Sequence, residues 1–89
     1  MSSRLDIDNT SIFDNIEENQ VEFSGEVDGD EYQFAVFYDV LEALSGDAPD
    51  GDAEETFKRF VDSISDAALS ALARVGEQAM IVVSENDLD

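Results

Sequence analysis

The fold is decided by residues 21–38, which read VEFSGEVDGDEYQFAVFY. Apolar and polar side chains alternate on both sides of Asp28-Gly29, and this two-residue period is typical of a half-buried β-strand. Asp-Gly favours the positive φ angles of a tight two-residue turn. The stretch therefore predicts a β-hairpin in which Phe23 faces Phe34 on one face of a sheet.

The register of this hairpin assigns other side chains to one or the other sheet face. Gly25 comes opposite Tyr32, so the tyrosine ring is expected to cover the bare glycine backbone. Glu26 faces Glu31, and this like-charge pair is expected to repel. Phe37 points away from the core aromatics, which leaves two alternatives: it meets the following helix, or it is exposed at an interface.

A short helix is expected directly after the hairpin. Asp39 and Glu42 form a D-x-x-E start signal, and Gly46 is a stop signal, so the helix has about two turns. The only proline of the chain lies in the segment over residues 45–52, which predicts a loop there.

One long helix is predicted after this loop. Asp52 with Glu55 repeats the capping pattern at its start, and Gly76 ends it. Apolar residues recur within it at steps of three and four, which indicates a single continuous stripe packed on the sheet. The stripe comprises Phe57, Phe60, Val61, Ile64, Ala68, Ala71, Leu72 and Val75.

Two further strands complete the expected sheet. Residues 80–84 read as a final buried strand. An earlier strand is expected around Ile12-Phe13, turning back at Asp14-Asn15 or at Glu18-Asn19.

These elements predict one domain, residues 1–89, with frayed ends over residues 1–11 and 86–89. The fold class is α+β with two layers: a small, mostly antiparallel sheet in the order β-β-β-α-α-β, with one long amphipathic helix packed across it.

The chain has 23 Asp and Glu against four Lys and Arg, a net charge of −19. Nucleic acids and anionic membranes would repel such a chain, so neither is expected as a partner. Three explanations remain: adaptation to a high-salt cytoplasm, an acidic mimic of nucleic acid, or acidity with no special cause. The acids occur in every predicted element from Asp6 to Asp89, which favours salt adaptation.

No catalytic, cofactor-binding or metal-binding residue is predicted, and an enzyme is not expected. The chain has no histidine and no cysteine, which excludes Ser-His and Cys-His nucleophiles and the usual zinc and haem ligands. The glycines are scattered at turns and caps and form no phosphate loop. Carboxylates alone could pair for acid-base chemistry, but among 23 of them a suggestive spacing has no specificity.

Weak cation binding stays open for the acidic loop over residues 47–55. The helix-loop-helix calcium pattern needs acids at loop positions 1, 3 and 5 and glycine at position 6. A loop starting at Asp47 has Pro49 at position 3 and Asp52 at position 6, so it does not match.

A soluble, cytoplasmic protein is expected. The longest apolar run covers residues 79–83, much shorter than the roughly 20 residues of a membrane span. The first residues do not show the pattern of a signal peptide, and the absence of cysteine is compatible with the cytosol.

The order and spacing of the core and turn residues over residues 12–88 carry a family resemblance. These residues are Val21, Phe23, Gly29, Leu41, Leu44, Phe57, Ile64, Ala68, Ile81, Val83, Asp87 and Leu88. The pattern resembles family 1488 of the bacterial domains of unknown function, here as a strongly acidic, salt-adapted member. The resemblance implies a two-layer α+β fold and no activity.

The expected function is therefore that of a small accessory or interaction domain, acting through a surface on a protein partner that the sequence does not identify. The alternative is an acidic mimic that binds a basic, nucleic-acid-binding protein. The oligomeric state stays open between a monomer and a homodimer that pairs through a sheet edge or the second sheet face.

Overall fold

The computed structural model of the chain describes residues 5–76 and 79–88. The strands are β1 (Asp6–Ile7), β2 (Phe13–Asn15), β3 (Gln20–Val27), β4 (Asp30–Phe37) and β5 (Ile81–Val83). The α-helices are α1 (Tyr38–Ser45), α2 (Ala53–Arg59) and α3 (Val61–Val75), and short 3-10 turns occupy Asn9–Ser11 and Glu85–Asp87. The predicted α+β fold class is confirmed.

The β3–β4 hairpin forms in the predicted register. Phe23 lies opposite Phe34, and Glu26 opposite Glu31. The turn residues Asp28 and Gly29 have φ angles of 53° and 90°. Positive φ at both positions matches the right-handed twist of the two strands, so the turn chemistry sets the register.

The outer edge of β3 is paired by two short strands. β2 pairs with β3 through Phe13 and Glu22, as expected, and its return turn uses Asn19, which has a φ of 56°. β1 also pairs antiparallel with β3, where frayed residues were expected over 1–11. Residues 1–4 of that range lie outside the described residues. A two-residue strand is too short to show an alternation in sequence.

Leu5 and Asp6 pass close to the backbone of Gly25. A Cβ atom at Gly25 would come 2.5 Å from Cδ1 of Leu5 and 3.3 Å from the carbonyl oxygen of Asp6. Tyr32 stands opposite Gly25 in the register, but the atoms nearest the missing side chain belong to Leu5 and Asp6. The expected pairing of Gly25 with Tyr32 is present, and Leu5 and Asp6 pass so close to Gly25 that this position needs glycine.

β5 adds to the other edge of the sheet and runs parallel to β4. Ile81 lies opposite Phe34, and Val83 opposite Val36. Parallel strands cannot be joined by a tight turn, and the three helices form the long connection that this arrangement needs. The sheet is therefore antiparallel except for this last pair.

α1 begins two residues earlier than the start signal indicated. Its N-cap is Phe37, and Asp39 lies in its first turn. The amide of Tyr38 donates to the carbonyl oxygen of Asn19 at 2.9 Å, so a first-turn donor is satisfied without a capping side chain. Gly46 ends the helix as predicted, with a φ of 89°.

The prediction of a single long helix after the loop is wrong. The helix is interrupted at Phe60, which separates α2 from α3. Phe60 has φ −109° and ψ 26°, while its amide still donates to Thr56 at 3.1 Å. The carboxylate of Asp52 accepts the amide of Asp50 at 2.9 Å instead of capping α2. Phe57 before the break and Ile64 after it are both fully buried.

The core lies between one face of the sheet and the helices. Phe23 stacks on Phe34 with ring centroids 5.2 Å apart and meets the edge of Phe57 at 4.8 Å. Each such fully buried ring contributes about 1.5–3 kcal/mol. Among the described residues, no helix is both long enough and apolar enough to cross a lipid bilayer.

Candidate functional site

Polar groups of the acidic loop over residues 47–55 form hydrogen bonds with neighbouring residues of the same segment. Oδ1 of Asp52 accepts the amide of Asp50 at 2.9 Å, and Oγ of Ser45 donates to the carbonyl oxygen of Asp47 at 2.9 Å. Within residues 5–76 and 79–88, no group of three or more acidic side chains could hold a metal ion.

The sheet face turned away from the helices carries no helix of the described chain, and we call it the open sheet face. It comprises Asp6, Phe13, Asn15, Gln20, Glu22, Ser24, Glu26, Glu31, Gln33, Ala35, Phe37 and Val82. These residues point away from the core because each alternates along its strand with a residue of the core face. The central row across the four strands consists of Phe13, Glu22, Ala35 and Val82.

Three apolar side chains of the open sheet face are exposed to solvent. The exposed fraction is 57% for Phe13, 38% for Phe37 and 37% for Val82. Ala35, between Glu22 and Val82 in the register, is fully buried. Phe37 is thus exposed, which decides between the two alternatives left by the sequence. Exposed aromatic side chains on one sheet face are typical of an interaction surface.

Glu22 is the one carboxylate in the central row of the open sheet face, and two amides bind it. Nδ2 of Asn15 and Nε2 of Gln20 each donate to its Oε2 atom at 2.8 Å. These two hydrogen bonds favour the ionised form and lower the pKa of Glu22 below its ordinary value. The two hydrogen bonds therefore orient the Glu22 carboxylate and offset part of its negative charge.

The other faces of the molecule are rich in carboxylates. Exposed acidic side chains lie on the hairpin turn, along α1 and along both later helices. They include Asp28, Asp30, Asp39, Glu42, Glu54, Glu55, Asp62 and Asp66. Glu54 forms a salt bridge with Lys58 at 3.4 Å. The central row of the open sheet face, in which Glu22 is the one acid, therefore differs from these surfaces in charge as well as in apolar exposure.

A cleft of about 980 Å³ lies between the hairpin turn and α3. Asp28 and Asp30 line it from the turn, and Asp62 and Asp66 line it from the helix. Its apolar lining includes Leu5, Val27, Leu69 and Leu72. The cleft is thus acidic at its walls and partly apolar, on the side of the molecule opposite the open sheet face.

Tyr38 links the start of α1 to the edge strand β2 through a hydrogen bond. Its hydroxyl donates to Oδ1 of Asp14 in a short hydrogen bond. Burial, this hydrogen bond and the negative charge of Asp14 together raise the pKa of Tyr38 to about 12. The contact explains how β2 is positioned, and therefore where Phe13 lies on the open sheet face.

The end of the chain is ordered where a frayed tail was expected over residues 86–89. Glu85–Asp87 form a 3-10 turn, and Asp87 is only 5% exposed. Its carboxylate accepts hydrogen bonds from the guanidinium of Arg74 and from the amide of Ser84. A distant cation thus compensates the acid, while residue 89 lies outside the described residues.

The sequence indicated that Phe37 points to the open sheet face, but it did not identify Phe13 and Val82 as exposed residues of the same face. Val82 stands between two core residues of β5, and this alternation is a signal that it points outward. Phe13 could not be assigned to a face from sequence, because the pairing of β2 was not known. The amide pair on Glu22 had no recognisable sequence signal.

One solved structure with the same fold is a protein of unknown function from the DUF1488 family of Shewanella loihica PV-4. The two structures superpose with a TM-score of 0.69 at 15% sequence identity, covering 91% of this chain and 94% of that chain. At this identity the likeness shows the fold. The neighbour belongs to the family whose pattern this chain resembles, so the resemblance is confirmed at the level of fold. No family model and no curated protein matches the chain.

Proposed function

We propose that this chain is a protein-interaction domain without catalytic chemistry, adapted to high salt, which binds a partner protein through the open sheet face. The observation that carries the proposal is the contrast between this face and the rest of the surface. Phe13, Phe37 and Val82 are exposed there in two neighbouring rows whose one carboxylate is Glu22, on a chain that contains 23 acidic residues. The other acids of this face, Asp6, Glu26 and Glu31, lie nearer the hairpin turn.

Desolvation favours a contact through the two rows of this face that contain Phe13, Phe37 and Val82. Burying an exposed carboxylate in an interface without a partner costs several kcal/mol, because a charge loses its water. Burying Phe13 and Phe37 instead contributes about 25 cal/mol for each Å² of apolar surface removed from water. Glu22 already accepts two amide hydrogen bonds, which offset part of its own loss of hydration.

High salt explains the remaining acidic surface. The carboxylates are spread over the turn, the loop and all three helices, and the chain contains one lysine. Such a surface repels itself in dilute salt and is screened when salt is concentrated. A cytoplasmic location in a cell with a high internal salt concentration is part of the proposal, and the absence of cysteine is compatible with it.

The acidic cleft favours a second candidate function. An acidic mimic of nucleic acid would present carboxylates to a basic protein, and the four aspartates on the cleft walls are a place where it could do so. The two candidates use opposite sides of the molecule. A test that reports which side contacts a partner therefore separates them.

The test is site-specific photo-crosslinking in cell extract containing molar potassium chloride. A photoreactive residue replaces Phe13 or Val82 on the open sheet face, Asp66 in the cleft, or Glu42 on α1 as the control. Crosslinks to a protein from Phe13 and Val82 alone are expected. Crosslinks from Asp66 alone to a basic protein would establish the mimic, and absence of any crosslink would overturn both candidates.

A further inference from the structure

We infer that the partner at the open sheet face is an amphipathic helix with Lys or Arg at one end and apolar side chains along the rest of its contact stripe. This inference rests on the proposed function, since it names the chemistry of the partner at the same face. Two observations support it: the order of charged and apolar residues along the strands, and the repulsion that this order leaves in the free chain.

Three carboxylates lie side by side at the hairpin end of the open sheet face, and we call them the acidic row. Asp6 lies opposite Glu26, which lies opposite Glu31 on its other side. All three are exposed, and side chains opposite one another on neighbouring strands are about 5 Å apart at Cβ. Like charges in this arrangement are destabilising, so a cation placed over the row would relieve a repulsion that the free chain retains.

The apolar residues lie at the other end of the same strands. The row next to the acidic row contains Ser24 and Gln33, which have no charge. Glu22 of the central row lies four residues before Glu26 on β3, which corresponds to about 13 Å. The row of Phe37 lies two residues further, about 20 Å from the acidic row. The face therefore changes from acidic to apolar along the strand direction.

This order restricts the chemistry of the partner. An apolar segment over the acidic row would remove water from three carboxylates without compensation, and an acidic segment would be repelled. Lys or Arg side chains there form ion pairs, and Arg can bind a carboxylate with two hydrogen bonds. Over Phe13, Phe37 and Val82, apolar side chains are the complement. A partner that satisfies both regions therefore has its positive charge at one end of its contact.

A helix lying along the strands can satisfy both regions. A helix packed on a sheet is one of the common layer arrangements, because each element buries its apolar side against the other. At 1.5 Å per residue, its basic residues come about 9 residues from those over the central row and about 13 from those over Phe37. Apolar residues at steps of three and four present one stripe to the sheet.

Concentrated salt does not remove this preference. Near 1 M salt the screening length is about 3 Å, so attraction over a distance to the acidic surface disappears. Ion pairs in direct contact within an interface are screened much less. The acidic row therefore determines which end of the helix lies at the hairpin turn, while the apolar contacts provide most of the affinity in concentrated salt.

The probe for the test is a synthetic amphipathic helix of about 18 residues, long enough to span these rows, with a leucine stripe and its lysines at one end. One control peptide has the same composition with the lysines dispersed along the polar side, and the other has glutamate in place of lysine. Binding of each to the whole chain is measured by fluorescence anisotropy at about 0.2 M and about 2 M potassium chloride. The basic-end peptide should bind more tightly than either control in both, and shift the amide resonances of β3 and β4.

Glu31→Gln is the most informative variant, because its effect on binding cannot arise from unfolding. Removing one charge of the opposed pair stabilises the free chain in dilute salt. It should nevertheless weaken the basic-end peptide by about two- to fivefold, the contribution of one exposed ion pair. Glu42→Gln removes the same charge from an exposed position of α1 and should leave the affinity unchanged. Phe13→Ser, at the apolar end, should weaken binding by at least about fivefold.

Three results would overturn the inference: no binding of the basic-end peptide at millimolar concentration, equal affinity for the dispersed control, or a Glu31→Gln chain that binds as tightly as wild type. Amide shifts confined to the cleft beside α3 would also overturn it. The proposed function survives these results if Phe13 and Val82 still crosslink to a partner in extract. Absence of those crosslinks removes the proposed function itself.

Discussion

Arg74 and Asp87 form a two-point ion pair between α3 and the last turn of the chain. Nε and Nη2 of Arg74 donate to Oδ1 and Oδ2 of Asp87 at 3.2 and 3.0 Å. The Asp87 side chain is 2% exposed, whereas that of Arg74 is 50% exposed. Burial alone would raise the pKa of Asp87, but hydrogen bonds from Arg74 and Ser84 outweigh it, and the pKa is lowered.

We expect this pair to make the fold sensitive to acid. Because the pKa of Asp87 is lower in the folded chain than its ordinary 3.8, its contribution is present above that value and is lost as the pH falls further. Thermal melts of wild type and Asp87→Asn from pH 7 downwards provide the measurement. The stability difference should be about 1 kcal/mol near neutral pH and should shrink below about pH 4. A difference that does not depend on pH would contradict the ion pair.

The orientation of α3 predicts opposite effects of the same substitution at two nearby positions. Ala68 is fully buried against the sheet, and Ser70 is exposed. Ala68→Asp buries an unpaired carboxylate and should cost at least about 3 kcal/mol, enough to unfold a domain of this size. Ser70→Asp should change the free energy of unfolding by less than about 0.5 kcal/mol. Equal melting temperatures for the two variants would refute this packing.

Tyr38 should be a reporter for the attachment of β2. In a Tyr32→Phe background, tyrosinate absorbance follows Tyr38 alone, and its titration midpoint should be about 12. Since this folded pKa lies above the ordinary 10.0, its contribution to stability is complete below pH 10.0 and is lost as the pH rises towards about 12. Asp14→Asn removes the neighbouring charge and should lower the midpoint. An unchanged midpoint would mean that Asp14 does not act on Tyr38.

Folding should depend on potassium chloride. At about 0.01 M salt the screening length is about 30 Å, and near 1 M it is about 3 Å. The molecule measures 35 × 26 × 20 Å, so in dilute salt each carboxylate is within reach of most of the others. Circular dichroism melts from about 0.01 M to about 3 M salt should show a rising melting temperature.

The opposed pair Glu26 and Glu31 supplies a control for the salt series. Replacing Glu31 with Gln removes one direct repulsion, so the melting temperature in dilute salt should rise while that in concentrated salt changes little. A melting temperature that stays flat across the series would contradict salt adaptation and favour the acidic mimic.

The hairpin could be predicted to the residue because its determinants are local. Asp28-Gly29 selects the turn, and the turn sets which side chains of β3 and β4 face each other. The helical stripe was identified for the same reason, since its period is read within the segment. The break at Phe60 was not predicted, because the stripe continues through it without a glycine or proline to mark it.

Features that depend on distant contacts could not be predicted from sequence. β1 is defined by pairing with β3 and by the close approach of Leu5 to Gly25. The tail is ordered because Asp87 meets Arg74, thirteen residues earlier in the chain. The open sheet face likewise required the order of the strands, which alone brings Phe13 and Val82 to opposite ends of one row.

The parallel pairing of β5 with β4 has a consequence for the order of folding. The hairpin can close within microseconds because its strands are adjacent in sequence, whereas Ile81 must find Phe34 across the whole helical connection. Closing so long a loop has an entropy cost that is recovered only once the helices have packed. We therefore expect the hairpin to nucleate folding, and β5, with the Asp87 contact behind it, to join the sheet in the final step.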